Sequence, residues 1–478
     1  MARFSWLLAS ALLTACAVGP DYHAPEIDTS PASFVYAGTG EFSGREVERN
    51  WWNQFQDSEL SALVERTLAH NRDLKAAEAN LQEARALYLQ AGLDLLPTVT
   101  SRAGYTEQKR SVGALNNRAF VPRELKLYSV GFDASWEIDL FGRVRRNVES
   151  RDAEVEAQAA ELRDLAVSVV AEVARNYFTL RGLQNQLDVA RKNAENQAAT
   201  LKLTEVRLEA GRGTELDTSR AKAQLDTTLA TVPPIESAVL QTIHRLGVLT
   251  GRPPTALTDE LTVPMALPKA PEVIAIGNPA ELLRRRPDIR VAERGLASAT
   301  AQIGVATADL FPRVTFVGSV ALEGRTLGAL AGAGGESYSV GPRITWAAFD
   351  LGRVYARIKA ADARAEAGLA RYEQTVLTAL EETENALVEY NRARQERALL
   401  AEAAQASQRA YELAHLRFDE GLADFLTVLD TESRLLEDQQ RLAASETRTA
   451  TALVAVYKAL GGGWENGPAV RSAASAEK

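Results

Sequence analysis

Cysteine and histidine are scarce in this sequence, and their scarcity excludes several kinds of chemistry. Cys16 is the single cysteine among 478 residues, so neither a disulfide within the chain nor a cluster of thiolate ligands can form. The four histidines are widely spaced, and none has another histidine or a cysteine within four residues. They are His23, His70, His244 and His415. Because metal-binding motifs bring such ligands close together, we expect no metal site and no metal cofactor.

Other absences narrow the class of protein further. No motif pairs a nucleophile with a base, so we do not expect an enzyme or any catalytic residue. The chain has 63 acidic and 54 basic residues, a net charge of −9, and both signs are interspersed along it. Because no basic block is present, we expect no nucleic acid partner. No run of eighteen apolar residues occurs, so no helix is expected to span a membrane.

The amino terminus has the pattern of an exported lipoprotein. Arg3 precedes a short apolar segment that is too short to span a bilayer, which predicts a signal peptide over residues 1–15. The sequence Leu-Thr-Ala-Cys at Leu13–Cys16 is typical of a lipobox, so we predict cleavage before Cys16 and a covalent lipid on its thiol. The alternative is a signal cut at Thr14-Ala15 that leaves Cys16 unmodified. Ala17 and Val18 follow the cysteine without an aspartate, which favours the outer membrane.

The rest of the chain is organised around one stretch that occurs twice. Tyr128–Val144 reads YSVGFDASWEIDLFGRV, and Tyr338–Val354 reads YSVGPRITWAAFDLGRV, at an offset of 210. Asp73–Pro97 resembles Asp288–Pro312 at an offset of 215. The chain is therefore predicted to contain two tandem copies of a unit in the order helix, strand, strand, long helix, turn, long helix.

Each copy begins with alternation of apolar and polar residues, which is typical of strands with one apolar face. Four strands are predicted, at about residues 98–108, 128–139, 311–323 and 338–348. From Gly142 to about Ala210 there is no proline, which predicts a helix roughly 100 Å long at 1.5 Å per residue. Gly211 and Gly421 are predicted to be the tips where the long helices turn back. Pro233-Pro234 is expected to interrupt the first returning helix.

Composition shifts divide the chain into segments. The repeats are assigned to residues 51–250 and 281–464, and a proline-rich linker to residues 251–280. A lipidated extended segment is assigned to residues 16–50, and a disordered tail to residues 465–478.

Four strands are too few to close a barrel, and an open sheet with an exposed apolar face would aggregate. Aromatic residues near the strand ends are typical of a membrane barrel. Several chains that share one barrel would satisfy both constraints, and three chains would supply twelve strands. The alternative is a soluble α+β domain with a short sheet.

The sequence resembles the TolC-like outer membrane efflux proteins, in particular lipoproteins of the OprM/NodT type. The resemblance runs from Cys16 to Trp464. Its motifs are Gly19–Tyr22, Trp51-Trp52, Asn71–Leu74, Trp136–Arg143, Leu282–Asp288, Asp309–Pro312 and Tyr457–Trp464.

The resemblance implies an α+β membrane protein that forms a homotrimer. A twelve-stranded β-barrel in the outer membrane would continue into an α-helical barrel across the periplasm. The implied function is the exit duct of a tripartite efflux system, passively conducting drugs or other toxic small molecules. Its implied partners are a periplasmic adaptor, an inner-membrane pump of the resistance-nodulation-division (RND) type, and outer membrane lipid. An enzyme or a structural envelope protein is the alternative, and single-channel conductance would separate these hypotheses.

The resemblance also implies residue roles. The tips at Gly211 and Gly421 would meet the adaptor. Leu426 and Asp430, one helical turn apart, would form successive rings of a periplasmic gate, and Arg417 would restrain the closed state by pairing with a carboxylate. The sequence departs from the family at Phe418, which replaces a tyrosine, and at Thr427, where some members have a second acidic ring. Arg220 matches Asp430 in the first repeat, so the gate is expected to be asymmetric.

Overall fold

The computed structural model describes residues 17–26, 33–37, 42–111, 113 and 123–464. The predicted signal peptide, Cys16 and the predicted tail lie outside the described residues. In the part that is described, none of the helices has an apolar stretch long enough to cross a membrane.

Helices dominate the described chain. In chain order they are α1 (Ser58–His70), α2 (Arg72–Leu93), α3 (Arg143–Glu209), α4 (Glu215–Leu249), α5 (Thr258–Leu261), α6 (Pro279–Arg285), α7 (Pro287–Ala308), α8 (Leu351–Asp419) and α9 (Phe425–Ala459). The strands are β1 (Phe42–Ser43), β2 (Thr98–Lys109), β3 (Glu124–Ile138), β4 (Ile274–Ala275), β5 (Arg313–Gly324) and β6 (Glu336–Thr345). Short 3-10 helices lie at Trp51–Phe55, Pro254–Leu257 and Leu327–Ala331.

The sequence repeat is also a repeat of structure. The helices α2 and α7 have 22 residues each, and the strand pairs β2–β3 and β5–β6 follow them. The long helices α3 and α8 have 67 and 69 residues, and the returning helices α4 and α9 have 35 residues each. Both halves therefore follow the predicted order of elements.

The compact units of the structure do not coincide with the repeats. One unit takes described residues from 17–26, 80–158 and 291–373, and it contains β2, β3, β5 and β6. The other takes described residues from 33–79, 159–290 and 374–464, and it contains the hairpin tips. Each unit thus combines segments from both halves of the chain.

The first unit holds an antiparallel sheet in the order β2-β3-β5-β6. Its register pairs Tyr105 with Tyr128, Trp136 with Phe316 and Val320 with Tyr338. The apolar side chains that alternate along these strands share one face, and they are open to the surroundings. Phe132 is 61% exposed and Tyr338 is 83% exposed. We call this surface the apolar face.

Two equivalent tryptophans join this sheet to the helices that precede it. The indole nitrogen of Trp136 donates to the carbonyl of Leu95 at 2.9 Å, just after α2. That of Trp346 donates to the carbonyl of Leu310 at 3.0 Å, just after α7. The two indoles thus satisfy a backbone carbonyl two residues beyond the helix end, at the same place in both repeats.

The motif at Trp136–Arg143 makes the transition from strand to long helix. Glu137 pairs with the guanidinium of Arg143 at 2.7 Å. The carboxylate of Asp139 accepts hydrogen bonds from the backbone nitrogens of Val144 at 3.0 Å and Arg145 at 2.9 Å. These nitrogens belong to the first turn of α3, so Asp139 stabilises the start of that helix.

An aromatic core fills the second unit. Trp51 is fully buried and stacks on Tyr457, with ring centroids 4.8 Å apart and planes 11° apart. Phe55 contacts Phe178 at 4.8 Å between centroids, and Tyr177 donates to the carboxylate of Asp57 at 2.7 Å. The Trp51-Trp52 and Tyr457–Trp464 motifs therefore meet in one core.

The expectation that Pro233-Pro234 interrupts a helix is wrong. Helix α4 is continuous from Glu215 to Leu249, with both prolines inside it. The prolines remove two backbone donors and crowd the preceding turn, which disfavours a helix. Burial of Val239, Ile243 and Leu246 in the core of the second unit stabilises the helical course beyond them.

Residues 17–22, which we call the strap, are fixed against the first unit. The Val18 nitrogen donates to the Phe141 carbonyl at 3.1 Å, and Arg146 pairs with Asp21 at 2.7 Å. Gly142 has a φ of +80°, and a Cβ there would lie 2.5 Å from that of Ala17. The equivalent Gly352 of the second repeat has nothing within 4 Å. The close approach of the strap therefore explains why Gly142 must be a glycine, but it does not explain the glycine at position 352.

We expect Gly304→Ala to displace the strap. A Cβ at Gly304 would lie 2.8 Å from Cγ of Arg146 and 2.9 Å from the Val18 carbonyl oxygen. Hydrogen exchange of the amide of Val18 should therefore become faster. The matched control is Gly295→Ala on the same helix, where nothing lies within 4 Å. Alanine there should stabilise α7 by roughly 0.5–1 kcal/mol. Equal exchange at Val18 in the two variants would contradict the close packing.

Candidate functional site

The tips at Gly211 and Gly421 have the same backbone geometry. Their φ values are +68° and +72°, in the left-handed region that favours glycine. At the first tip, the backbone nitrogen of Arg212 donates to the Arg207 carbonyl at 2.8 Å, and that of Gly211 donates to the Leu208 carbonyl at 3.0 Å. At the second, Leu422 donates to the Arg417 carbonyl at 2.8 Å and Gly421 to the Phe418 carbonyl at 3.0 Å. Both long helices thus end in a Schellman motif.

The returning helices begin with different caps. In α4, Thr214 and Asp217 form a reciprocal capping box. In α9, the carboxylate of Asp424 accepts from the backbone nitrogen of Thr427 at 2.9 Å and from its hydroxyl at 2.6 Å. These hydrogen bonds hold the pKa of Asp424 below its usual range. The structure therefore gives Thr427, a departure from the family pattern, a place in the cap.

A small apolar cluster underlies the second tip. Its buried members are Ala221, Phe418, Phe425 and Val428. The guanidinium of Arg207 lies over the ring of Phe418, 3.9 Å from its centroid. Phe418, the other departure from the family pattern, thus contributes packing and a cation–π contact with the first repeat.

The predicted gate residues lie on the opposite side of α9 from this cluster. Leu426 is 51% exposed and Asp430 is exposed, while Phe425 and Val428 are buried. Arg220, which matches Asp430 in the first repeat, is exposed on α4. The structure therefore brings Leu426 and Asp430 onto one open face, as their spacing predicts.

Arg417 is exposed near the end of α8. Among the described residues, no carboxylate lies within ion-pair distance of its guanidinium. The predicted pairing with a carboxylate is therefore not formed among the described residues, and it stays a prediction.

One polar residue of the second tip was missed by reasoning from the sequence. Glu432 of α9 is 2% exposed, and burial raises the pKa of its carboxyl to about 7. Its spacing from Phe425 and Val428 places it on the buried face, between positions that are otherwise apolar. An acidic residue at an apolar position of the helical pattern of α9 is the signal that would have identified it.

The Leu282–Asp288 motif supports the other end of α9. Arg286 is buried, donates to the carbonyl of Ala459 at 2.9 Å and pairs with Asp288 and Glu382, each at 2.7 Å. Nearby, burial and the charge of Asp288 raise the pKa of Asp164 to about 6. This arrangement is a structural junction, because its central charge is already paired on two sides. Across the residues that the structure describes, no group of three or more histidine, aspartate or glutamate side chains is arranged to hold a metal ion.

Comparison with known proteins assigns the family. The family model "Outer membrane efflux protein" matches residues 63–252 and 278–462. Nodulation protein T of Rhizobium leguminosarum bv. trifolii is 30% identical over 464 residues, covering 97% of each chain. The toluene efflux pump outer membrane protein TtgF of Pseudomonas putida is 30% identical over 466 residues, covering 96% of each chain.

A solved structure of the outer-membrane channel OprN is similar throughout. It is 43% identical, with a TM-score of 0.87, and the match covers 94% of this chain and 100% of that one. The family and outer membrane localisation inferred from the sequence motifs are confirmed by these comparisons. The protein is an efflux conduit, and the alternatives of an enzyme or a structural envelope protein are set aside. The chain belongs to the outer membrane efflux protein family.

Proposed function

We propose that three copies of this chain join their sheets into one twelve-stranded barrel, which serves as the exit duct of a tripartite efflux system. The observation that carries the proposal is the four-stranded sheet with its exposed apolar face. Strands β2 and β6 are its outer strands, so each needs a partner strand to satisfy its second row of backbone groups. Inside a bilayer such partners must come from protein, and a second and third copy supply them.

The dimensions of the sheet suit a membrane. Strands β2, β3, β5 and β6 have 12, 15, 12 and 10 residues, against the 9 to 11 or so that a tilted strand needs. Trp136 and Trp346 lie at one end of the apolar face, and the Tyr105–Tyr128 pair lies toward the other. Aromatic residues at both ends are the arrangement that anchors a barrel at the membrane surfaces.

The opposite face of the sheet would line the duct. Its residues are mostly small or hydroxylic, as in the pairs Ser129–Gly104 and Ser319–Ser339. Arg102 and Asp133 on this face lie 3.4 Å apart and offset each other's charge. Such a lining suits passive conduction of varied small molecules, because its charged side chains are of both signs and it offers no continuous apolar surface.

The relatives support an inference about partners and cargo. TtgF is named as the outer membrane protein of a toluene efflux pump, and this chain matches it over nearly its whole length. Together with the family resemblance of the sequence motifs, this leads us to infer a periplasmic adaptor and an RND-type inner-membrane pump as partners, and drugs or other toxic small molecules as cargo.

A lipid on Cys16 would add a second attachment to the membrane. The strap begins at the very next residue and is held to the unit that contains the sheet. A lipid there would therefore lie beside the barrel, and the covalent lipid would be the only added group. Mass spectrometry of the mature protein should show a lipidated Cys16 as its first residue. An intact Met1 or a free Cys16 thiol would disprove the modification.

We expect both tips to dock on the adaptor. A Cβ added at Gly211 or Gly421 would have nothing within 4 Å of it, so both tips are open to a partner. Leucine at either glycine would obstruct that surface and strain the left-handed backbone by about 1–2 kcal/mol. Cross-linking to the adaptor should weaken while trimer yield is unchanged.

A matched control is Gly352→Leu, at the far end of α8, where nothing lies within 4 Å. It should leave cross-linking as in the wild type. Unchanged cross-linking and efflux in the Gly211 and Gly421 variants would show that the adaptor docks elsewhere.

We expect Leu426 and Asp430 to form the periplasmic gate. Three copies of Leu426 would make an apolar constriction, and three Asp430 carboxylates would repel one another and attract cations. The double variant Leu426→Ala with Asp430→Ala should raise single-channel conductance in a planar bilayer and abolish block by multivalent cations. The wild type should show a smaller conductance and a clear block.

The repeat supplies the control. Leu216 and Arg220 stand at the equivalent positions of α4, and their double alanine variant should keep the cation block. If conductance and block in the Leu426 and Asp430 variant match the wild type, the gate lies elsewhere. If neither the wild type nor the Leu426 and Asp430 variant conducts ions, the duct itself is disproved.

A further inference from the structure

Glu432 is the one carboxylate of the second tip that is fully enclosed. It is 2% exposed, and neither of its carboxylate oxygens has a hydrogen-bond partner in the described part of the chain. The equivalent residue of the first repeat is Lys222, which is exposed and pairs with Asp226 at 3.2 Å. The acidic group therefore belongs to the buried face of the second repeat only.

The surroundings of Glu432 are apolar or already engaged. Val428, Leu435 and Leu436 are buried along the same side of α9. From α8, the titratable group that faces Glu432 is the phenol of Tyr411, whose pKa is raised first by burial and then by the charge of Glu432.

Three charged or titratable groups of the elements at this tip are engaged with other residues. Arg207 of α3 lies over Phe418, and Lys222 of α4 pairs with Asp226. His415 of α8 is hydrogen-bonded to Asp419 at 3.0 Å. Burial is the cause of the raised pKa of Glu432, and among the described residues no neighbouring charge contributes to it.

A neutral carboxyl group tolerates this position, but an ionised one does not. A buried carboxylate without a hydrogen bond or a cation loses its solvation and gains nothing in return. Once the proton leaves, the charge is stabilised only if water reaches it, which requires the packing between α8 and α9 to open. Leu426 and Asp430 are carried by the same helix, six and two residues before Glu432, so a movement of this part of α9 moves both.

We propose that Glu432 is a proton-dependent latch: its neutral form holds α9 packed against α8, and loss of its proton favours the open gate. The proposal rests on the proposed function, because it takes Leu426 and Asp430 to be the gate. The ligand of the latch is a proton, which binds the carboxylate of Glu432 and thereby controls the tip of the second hairpin.

The sign of the pH dependence follows from burial. The pKa of Glu432 is about 7 in the packed state, above the ordinary value of 4.5 that it regains when exposed to water. Packing is therefore fully favoured below the ordinary pKa, and this advantage is lost as the pH rises toward 7. In each protomer, the ratio of the state with α9 opened to the state with α9 packed against α8 should increase by about tenfold per pH unit between roughly pH 5 and 7. Above about pH 7 the ratio should level off.

Single-channel recording of the full-length trimer at pH values from 5 to 8.5 tests the latch. Open probability of the wild type should rise across this range and level off near neutral pH. Glu432→Gln keeps the shape and removes the charge, so it should hold the low-pH behaviour throughout. Glu432→Asp keeps a titrating group and should keep a pH step.

Two further variants identify the group that titrates. His415→Gln removes the histidine of α8, and Lys222→Gln changes the equivalent position of the first repeat. Both should retain the pH step. A step that persists in Glu432→Gln, or disappears in His415→Gln or Lys222→Gln alone, would overturn the latch.

A second measurement does not depend on any variant folding. Hydrogen exchange of wild-type peptides covering residues 425–436, corrected for the intrinsic effect of pH, should accelerate between pH 5 and 7 more than peptides from the first tip. Equal acceleration at the two tips would also overturn the latch. A wild type that conducts but shows no pH step refutes the latch alone, whereas failure of both the wild type and the Leu426 and Asp430 double alanine variant to conduct refutes the duct.

Discussion

The arrangement of this protein depends on the need of backbone groups in a membrane for hydrogen-bond partners. Each chain contributes a sheet of four strands, with β2 and β6 as its outer strands and an apolar face that water does not stabilise. A sheet of this kind is incomplete by itself. Other features of the first unit place that sheet: Trp136 and Trp346 connect it to the preceding helices, and Asp139 starts the long helix that follows it.

The repeat gives the protein two hairpins of nearly equal length, and their backbones are alike down to the hydrogen bonds of each tip. Their side chains differ where a function is proposed. Position 430 is an aspartate where the first repeat has Arg220, and position 432 is a buried glutamate where the first repeat has the exposed Lys222. Duplication therefore supplies the frame, while the proposed gating depends on substitutions on a few helix faces. Arg207 of the first hairpin also packs on Phe418 of the second, so the two tips are physically connected.

The buried carboxylate shows how stability and function are related here. An isolated acidic group in an apolar contact costs stability whenever it is ionised. Burial of Glu432 raises the pKa of its carboxyl for this reason. Arg286 shows the opposite arrangement, because its buried guanidinium is paired with Asp288 and Glu382 and also donates to a helix end. The paired charge stabilises one fixed structure, whereas the unpaired one allows a choice between two.

Local pattern was sufficient for much of this fold. Alternation along Tyr128–Ile138, the absence of proline across α3 and the glycines at 211 and 421 are readable because strands, helices and left-handed turns depend mainly on nearby residues. Pro233-Pro234 was misjudged for the same reason, since local preference opposes a helix there and distant packing of Val239 and Ile243 outweighs it. Contacts between residues far apart in sequence depend instead on how the elements pack within each unit. The strap meets Gly142 and Gly304, Trp51 meets Tyr457, and Glu432 is enclosed without a partner among the described residues, because burial is a property of packed helices and not of a sequence window.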